Sequence, residues 1–235
     1  MPVRQATWAD LKVGARIAAL AFWEDEFMGD RWNPHRAKHP KSFERAFLHD
    51  LYESYFDART RVLVSYPKDQ PDRITGMAIW SRTGDGGKHM KASQSWLGRL
   101  MGRCIIPFYI SINSFLRPNR AADHAVWKGM GDMEPDMDER LEKPDYNETW
   151  DLELLFQEPQ YQGRGFGKEL VSWGISMAKD EEIRVCVVSA PAEEEFFRKL
   201  GIDEEVKEPF GGGEDSPWPG MLLFSKKFNM AIEKV

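Results

Sequence analysis

Apolar residues along this chain recur with two periods. Leu11, Val13, Ile17, Leu20 and Ala21 return at helical spacing, which predicts an amphipathic helix. Residues 3–6 before it read as a short strand, and Thr7 or Asp10 can cap the helix. Phe43, Phe47, Leu51, Tyr55 and Phe56 repeat about every four residues, predicting a second helix over 42–56. The period then changes to two. Residues 60–66 are β-branched and alternating, residues 67–72 form a turn, and 74–81 are a second strand, so the pair is a hairpin ended by Gly84 to Gly87.

The longest signal spans residues 150–181. Leu152, Leu154, Leu155 and Phe156 form an apolar run that stops at Pro159. Gly163, Gly165 and Gly167 follow at every second position, and Leu170, Val171, Trp173, Gly174 and Met177 then repeat helically. That is strand, glycine turn, helix. Residues 184–189 are continuously apolar, as in a buried strand. A helix over 192–200 ends at Gly201, residues 204–210 and 220–228 read as strands, and 211–217 as a loop. Between the hairpin and this region, residues 88–147 predict a helix near 95–104, an apolar aromatic stretch at 107–115, a helix at 121–130 and an acidic loop at 133–146. No repeat and no linker divides the chain, so 1–235 is read as a single domain with an insertion at about 88–147. That insertion is expected to cover the acceptor side or to serve as a homodimer surface.

Composition narrows the function. Hydrophobic content of 42% and charged content of 30% are ordinary for a globular protein. The net charge of −6 argues against a nucleic-acid partner. No apolar run has the length of a membrane span, so no membrane partner is expected, and the N-terminus lacks a signal-peptide core. Two cysteines make no disulfide framework, which fits a reducing, cytoplasmic location. His35 and His39 stand four apart, but flanking prolines and the lack of nearby ligands make a poor metal site, and none is expected.

The glycine turn carries the chemistry. Glycines admit positive φ and close approach of a ligand to the backbone. The unpaired amides of the following helix point into the same gap and attract phosphate. A Walker loop is excluded, because only three residues separate Gly163 from Gly167 and Glu169 follows Lys168. The dinucleotide fingerprint is excluded because Lys168 stands where its third glycine belongs. What remains, Gln160-x-x-Gly163-x-Gly165-x-Gly167, resembles the pyrophosphate loop of the GCN5-related N-acetyltransferases, the GNAT superfamily, whose pattern is Gln/Arg-x-x-Gly-x-Gly/Ala. A second signature of that family, Ala-x-x-Phe-Tyr-x-x-x-Gly-Phe, is similar to the stretch from Ala192 through Phe196 and Phe197 to Gly201 and Ile202. The order of elements resembles fungal-type members with a long segment before the fourth strand.

The resemblance implies an α/β (α+β) GNAT fold: a mixed, mostly antiparallel central sheet splayed between strands 4 and 5, with helices on both faces. It implies acetyl-CoA (coenzyme A) as cofactor and transfer of the acetyl group to a small or medium amine by direct attack. A protein N-acetyltransferase and a non-catalytic acyl-CoA-binding module are the alternatives, and a nucleotide-binding α/β protein is an unrelated one. Gln160, Gln162, Gly163, Arg164, Gly165, Phe166, Gly167 and Lys168 would hold the pyrophosphate. Backbone near Leu155, Phe156 and Gln157 would bind the thioester or pantetheine. Asp151 and Glu153, two apart on one strand and hence on one face, are the candidate bases. Phe22, Trp23 and Phe27, with Trp80, are the candidate acceptor wall. Phe197 departs from the family's usual tyrosine. It cannot protonate a departing thiolate, so that proton comes from water or another group, or Phe197 simply packs against the pantetheine arm.

Overall fold

The computed structural model describes residues 2–126, 146–205 and 221–228. In chain order these form β1 (Val3–Gln5), α1 (Trp8–Ala21), a π turn (Glu26–Arg31), α2 (Pro40–Phe56), β2 (Thr60–Ser65), β3 (Gly76–Arg82), α3 (Gly84–Ser93), α4 (Trp96–Leu100), a second π turn (Met101–Ile105), α5 (Ile106–Leu116), β4 (Thr149–Gln157), α6 (Phe166–Asp180), β5 (Arg184–Ser189), α7 (Glu194–Arg198), β6 (Ile202–Glu205) and β7 (Met221–Ser225). The strands make one seven-stranded sheet in the order β1-β2-β3-β4-β5-β7-β6. Every neighbouring pair is antiparallel except β4 and β5.

Two apolar layers sandwich this sheet. Leu11, Ile17, Phe43, Phe47 and Leu51 of α1 and α2 pack with Val62, Val64, Met77 and Ile79 on one face. Leu170, Val171 and Ala178 of α6 pack with Leu63, Ala78, Trp80 and Trp150 on the other. With both faces covered, all seven residues of β3 are buried, which fits the unbroken apolar run from Gly76 to Trp80 before the buried polar pair Ser81 and Arg82. The start of α1 is tied to β1 through Asp10, whose carboxylate accepts from Arg4 (2.7 Å), the Thr7 amide (2.7 Å) and the Thr7 hydroxyl (2.8 Å). An acidic residue at N3 reaching back to the helix cap is the expected use of this position.

Several elements differ from the sequence expectation. Gly84 does not merely end the hairpin but begins α3. The stretches at 95–104 and 107–115 are one helical run. In it the amide of Ile106 bonds to the carbonyl of Met101, five residues back. That wider turn accommodates Pro107, which has no N–H and would clash in a regular helix. The helix expected over 192–200 is a 3₁₀ turn (Pro191–Glu193) followed by the five residues of α7. Of the helix expected at 121–130, residues 121–126 are described and only 124–126 of them are helical, and of the strand expected at 204–210 only 204–205 are described. The loop at 211–217 lies outside them.

Helix α6 approaches the sheet most closely at Gly174. A Cβ built there would lie 2.3–2.5 Å from three ring carbons of Trp80, and Trp80 is fully buried. The ring is fixed further by its indole N–H, which donates to the Leu170 carbonyl at 3.3 Å. Gly174→Val is expected to lower the unfolding free energy by about 1–3 kcal/mol, the usual cost of overpacking. Urea denaturation reads it, and an unchanged midpoint would show that α6 can move away from the sheet at no cost.

Candidate functional site

The two central strands part halfway along. β4 pairs with β5 only from Thr149↔Arg184 to Leu152↔Val187. β4 then continues to Gln157 along β3 alone, and Val188 and Ser189 of β5 pair only with β7. The register of β4 on β3 shifts at the same place: Trp80 faces Leu152 but Ile79 faces Leu154, so Glu153 is an extra residue. A bulge of this kind bends the strand and increases its twist. The bend also reverses the faces. Leu152 belongs to the α6 core and Leu154 packs on the α1–α2 core, although they are two apart.

A cleft of about 630 Å³ fills the gap. Its sides are residues 152–157 of β4 and 187–190 of β5 and the loop after it. One end is the glycine turn. Gly163 (φ 69°) and Gly165 (φ 86°) both occupy the left-handed region that favours glycine. Gly165 is also the residue before α6, and no side chain caps that helix. The first-turn amides of Phe166, Gly167 and Lys168 therefore have no side-chain acceptor, and these residues line the cleft. Such amides, reinforced by the helix dipole, form an anion site. Lys168 is exposed beside them.

The other end is built by the π turn after α1. Phe22, Asp25, Phe27 and Met28 line it. Phe22 is held by stacking on Phe47 (5.5 Å) and by an edge contact with Phe156 (6.0 Å). Asp25 caps the turn, its carboxylate accepting from the amides of Phe27 (3.0 Å) and Met28 (2.7 Å). Phe196 and Phe197 form part of the wall and meet edge to face at 5.0 Å. Phe197 is itself 6% exposed and packs into the α6 core.

The structure divides the sequence candidates. Leu155, Phe156, Gln157, Gln162, Gly163, Gly165, Phe166, Gly167, Lys168, Phe197, Phe22, Phe27 and Glu153 all line the cleft. Gln160 and Arg164 do not. The Gln160 amide donates to Glu158 on the exposed side of the turn, and the Arg164 guanidinium lies 5.2 Å over the Tyr161 ring. Trp23 is turned towards α2, edge-on to Phe43 and beneath Arg36, so it is no part of this wall. Trp80 faces α6 and is core, its ring held against Leu170 and Gly174 of that helix. None of residues 88–126 lines the cleft, so among the described residues the expected covering of the acceptor side is not seen. Asp25, Met28, Tyr161 and Phe196 line the cleft and were not anticipated. Asp25 had a readable signal, an acidic residue directly before an aromatic turn. The others depend on how distant segments meet.

Asp151 and Glu153 are separated by the bulge. Glu153 lines the cleft; Asp151 does not. Burial pushes the Asp151 carboxyl up to about 7, against the pull of the Thr149 hydroxyl that donates to it, and the nearby Glu153 adds to the rise. Its neighbour Cys186 on β5 is likewise pushed up, by burial and then by Asp151. Burial also raises Glu153, opposed by a hydrogen bond from Ser81 and the charge of Arg59. For Asp151 the folded value lies above the unfolded one, so folding is penalised as pH rises from about 4 to about 7. Asp151→Asn is therefore expected to match wild type at pH 4 and to melt roughly 2–8 °C higher at pH 8, the shift that about 1–2 kcal/mol produces at this size. A difference independent of pH in scanning calorimetry would contradict the ionisation argument.

A sheet of this order, with one parallel pair that splays over a glycine turn and helices on both faces, is the GNAT fold. The chain is similar to the structure described as histone acetyltransferase HPA2 and related acetyltransferase from Corynebacterium glutamicum, at 16% identity and a TM-score of 0.59 over 95% of this chain and 94% of that one. It is also similar to the PaiA N-acetyltransferase from Thermoplasma acidophilum in complex with coenzyme A, at 10% identity and a TM-score of 0.49 over 95% and 97%. No protein-family model and no curated protein sequence matches the chain.

Proposed function

We propose that the protein is an acetyl-CoA-dependent N-acetyltransferase acting on a small or medium amine. The observation that carries this is the cleft itself: an uncapped glycine turn at one end, a bulge carboxylate in the middle and an aromatic, acidic lip at the other.

The residues fit coenzyme A. The amides of Phe166, Gly167 and Lys168, with the Lys168 ammonium, would take the pyrophosphate. Past the point where β5 departs, the outer edge of β4 at 153–157 has no strand partner. Its free amides and carbonyls suit an amide-bearing pantetheine arm, which would lie as a surrogate strand. Leu155, Phe156 and Phe197 supply the apolar wall beside it. Acetyl-CoA, when bound, supplies an activated acyl group that an amine can attack.

The chain's own task is to place a neutral amine and keep water away. Glu153 is the base that this geometry favours, since it sits on the bulge and reaches the cleft. Its raised pKa brings it nearer to neutrality, where a carboxylate can accept a proton from an ammonium group. Asp151 shares the local charge of Arg59 with Glu153 and does not touch the cleft, and the carboxylate that adds to the rise of Glu153 is Asp57. Asp25 and Glu153 make the acceptor end attractive to a cation, and Phe22 and Phe27 give it an apolar body. Positioning and desolvation are expected to provide most of the acceleration.

Glu153→Gln is expected to lower kcat by about 10²–10⁴-fold in a thiol-release assay over an amine panel, with acetyl-CoA affinity retained. In wild type the rate should fall as pH drops below the raised Glu153 pKa, and the variant should lose that limb. An unaltered rate removes Glu153 from the role. Gly165→Val should weaken acetyl-CoA binding by about tenfold or more in isothermal titration, because a branched side chain is strained at positive φ.

Phe197 favours a second reading, a non-catalytic acyl-CoA-binding module, since it brings no hydroxyl to the cleft. Tight acetyl-CoA binding with no thiol release for any amine would select it.

A further inference from the structure

The helical run from Trp96 to Leu116 has one covered side. Ile106 is buried, and Met101 and Ile110 lean on the α1–α2 core. At 3.6 residues per turn, Ile106, Ile110 and Asn113 share that side. Phe108, Ile112 and Phe115 lie opposite, and they are 68%, 44% and 85% exposed. Trp96 and Leu116 are 73% and 69% exposed. Among the described residues twelve large apolar side chains are exposed, and nine of them fall between Trp96 and Leu116. Single exposed apolar residues are ordinary, whereas a concentrated patch marks a contact surface. A helix apolar on both sides is suited to having both sides covered.

Charge decides what fits this face. Residues 86–122 hold six basic residues (Lys88, Lys91, Arg99, Arg103, Arg117 and Arg120) and no Asp or Glu, in a chain of net charge −6; Asp85 and Asp123 flank the span, and Asp85 pairs with Lys88 at 2.8 Å. All six are exposed. A second copy docking here across a two-fold axis would bring this positive region against itself, which disfavours self-association. An anionic bilayer surface takes both components. Trp, Phe and Leu enter the boundary of headgroups and acyl chains, and Arg and Lys meet the lipid phosphates.

We infer that the exposed face of the 96–116 helical run is an interfacial membrane-binding surface for anionic lipid. No helix of the described residues is long and apolar enough to cross a membrane, and lying on the surface requires no crossing. The expectation of no membrane partner rested only on the lack of a spanning run. This face is separate from the cleft, none of whose lining residues it contributes, so it can be altered without touching the acetyl-transfer machinery.

Co-sedimentation tests this with the full chain and vesicles of phosphatidylcholine, alone or with about 30% phosphatidylserine, whose negative surface attracts basic residues. The wild type is expected to pellet with the anionic vesicles at least about tenfold more strongly than with the neutral ones, and to be released by about 1 M salt. Phe108→Glu with Phe115→Glu should abolish pelleting while leaving the melting temperature within a few degrees. Arg99→Gln, Arg103→Gln and Arg117→Gln together should remove the preference for anionic lipid, and this variant decides the matter if the first one fails to fold. Wild type that stays in the supernatant, or a charge variant that keeps the preference, overturns the inference. So does a dimer in light scattering that the phenylalanine variant disperses without any vesicle binding, because the face would then belong to a second copy.

Discussion

The site depends on one limit to backbone pairing: β4 and β5 hold each other for only four residue pairs. An extra residue at Glu153 keeps β4 in register with β3 while turning it away from β5. A sheet interrupted in this way leaves unpaired peptide groups, normally costly in a protein interior. Here they border a cleft that admits solvent or a ligand. The same bulge sets the glycine turn at the open end and a carboxylate on the bend, so one irregularity places both the anion site and the candidate base.

The parting needs a firm closed end. Arg82, 4% exposed at the end of β3, pairs with Glu148 at 2.6 Å and Glu181 at 2.7 Å, and Glu181 also accepts from the Trp150 indole at 3.0 Å. These contacts join the last residue of β3, the approach to β4 and the end of α6. A buried guanidinium with two carboxylates is satisfied in charge and hydrogen bonding, and removing one partner would leave an uncompensated charge. On the α6 side the Trp80 ring fills the space left by Gly174. Packing of this kind keeps the strands together below the point of divergence, so that the opening is confined to one place.

Much of the site was legible in the residue order because it is local. A strand, three alternating glycines and a helix describe a turn whose conformation depends on its own residues, and Gly163 and Gly165 take the positive φ that glycine favours. Phe22 and Phe27 follow the end of a periodic helix and do reach the cleft. Trp23 and Trp80 lie outside the cleft for a common reason. An aromatic residue near a site can face either of two cores, and strand register or helix rotation decides which. Arg164 and Gln160 lie within the motif, yet their side chains turn to Tyr161 and Glu158.

By itself the sequence determined the succession of elements, the glycine turn and its suitability for a phosphate. Hydrophobic period and φ preference act over a few residues and need no distant partner. Only the tertiary structure decided that Asp151 and Glu153, two apart on one strand, have different surroundings. The bulge between them arises from pairing with β3, some seventy residues earlier in the chain, and no local pattern encodes it. The tertiary structure likewise decided that the 96–116 run covers α2 rather than the cleft. A helix apolar on both sides carries no mark of which side the fold will bury, and that choice left the other side facing out among basic residues.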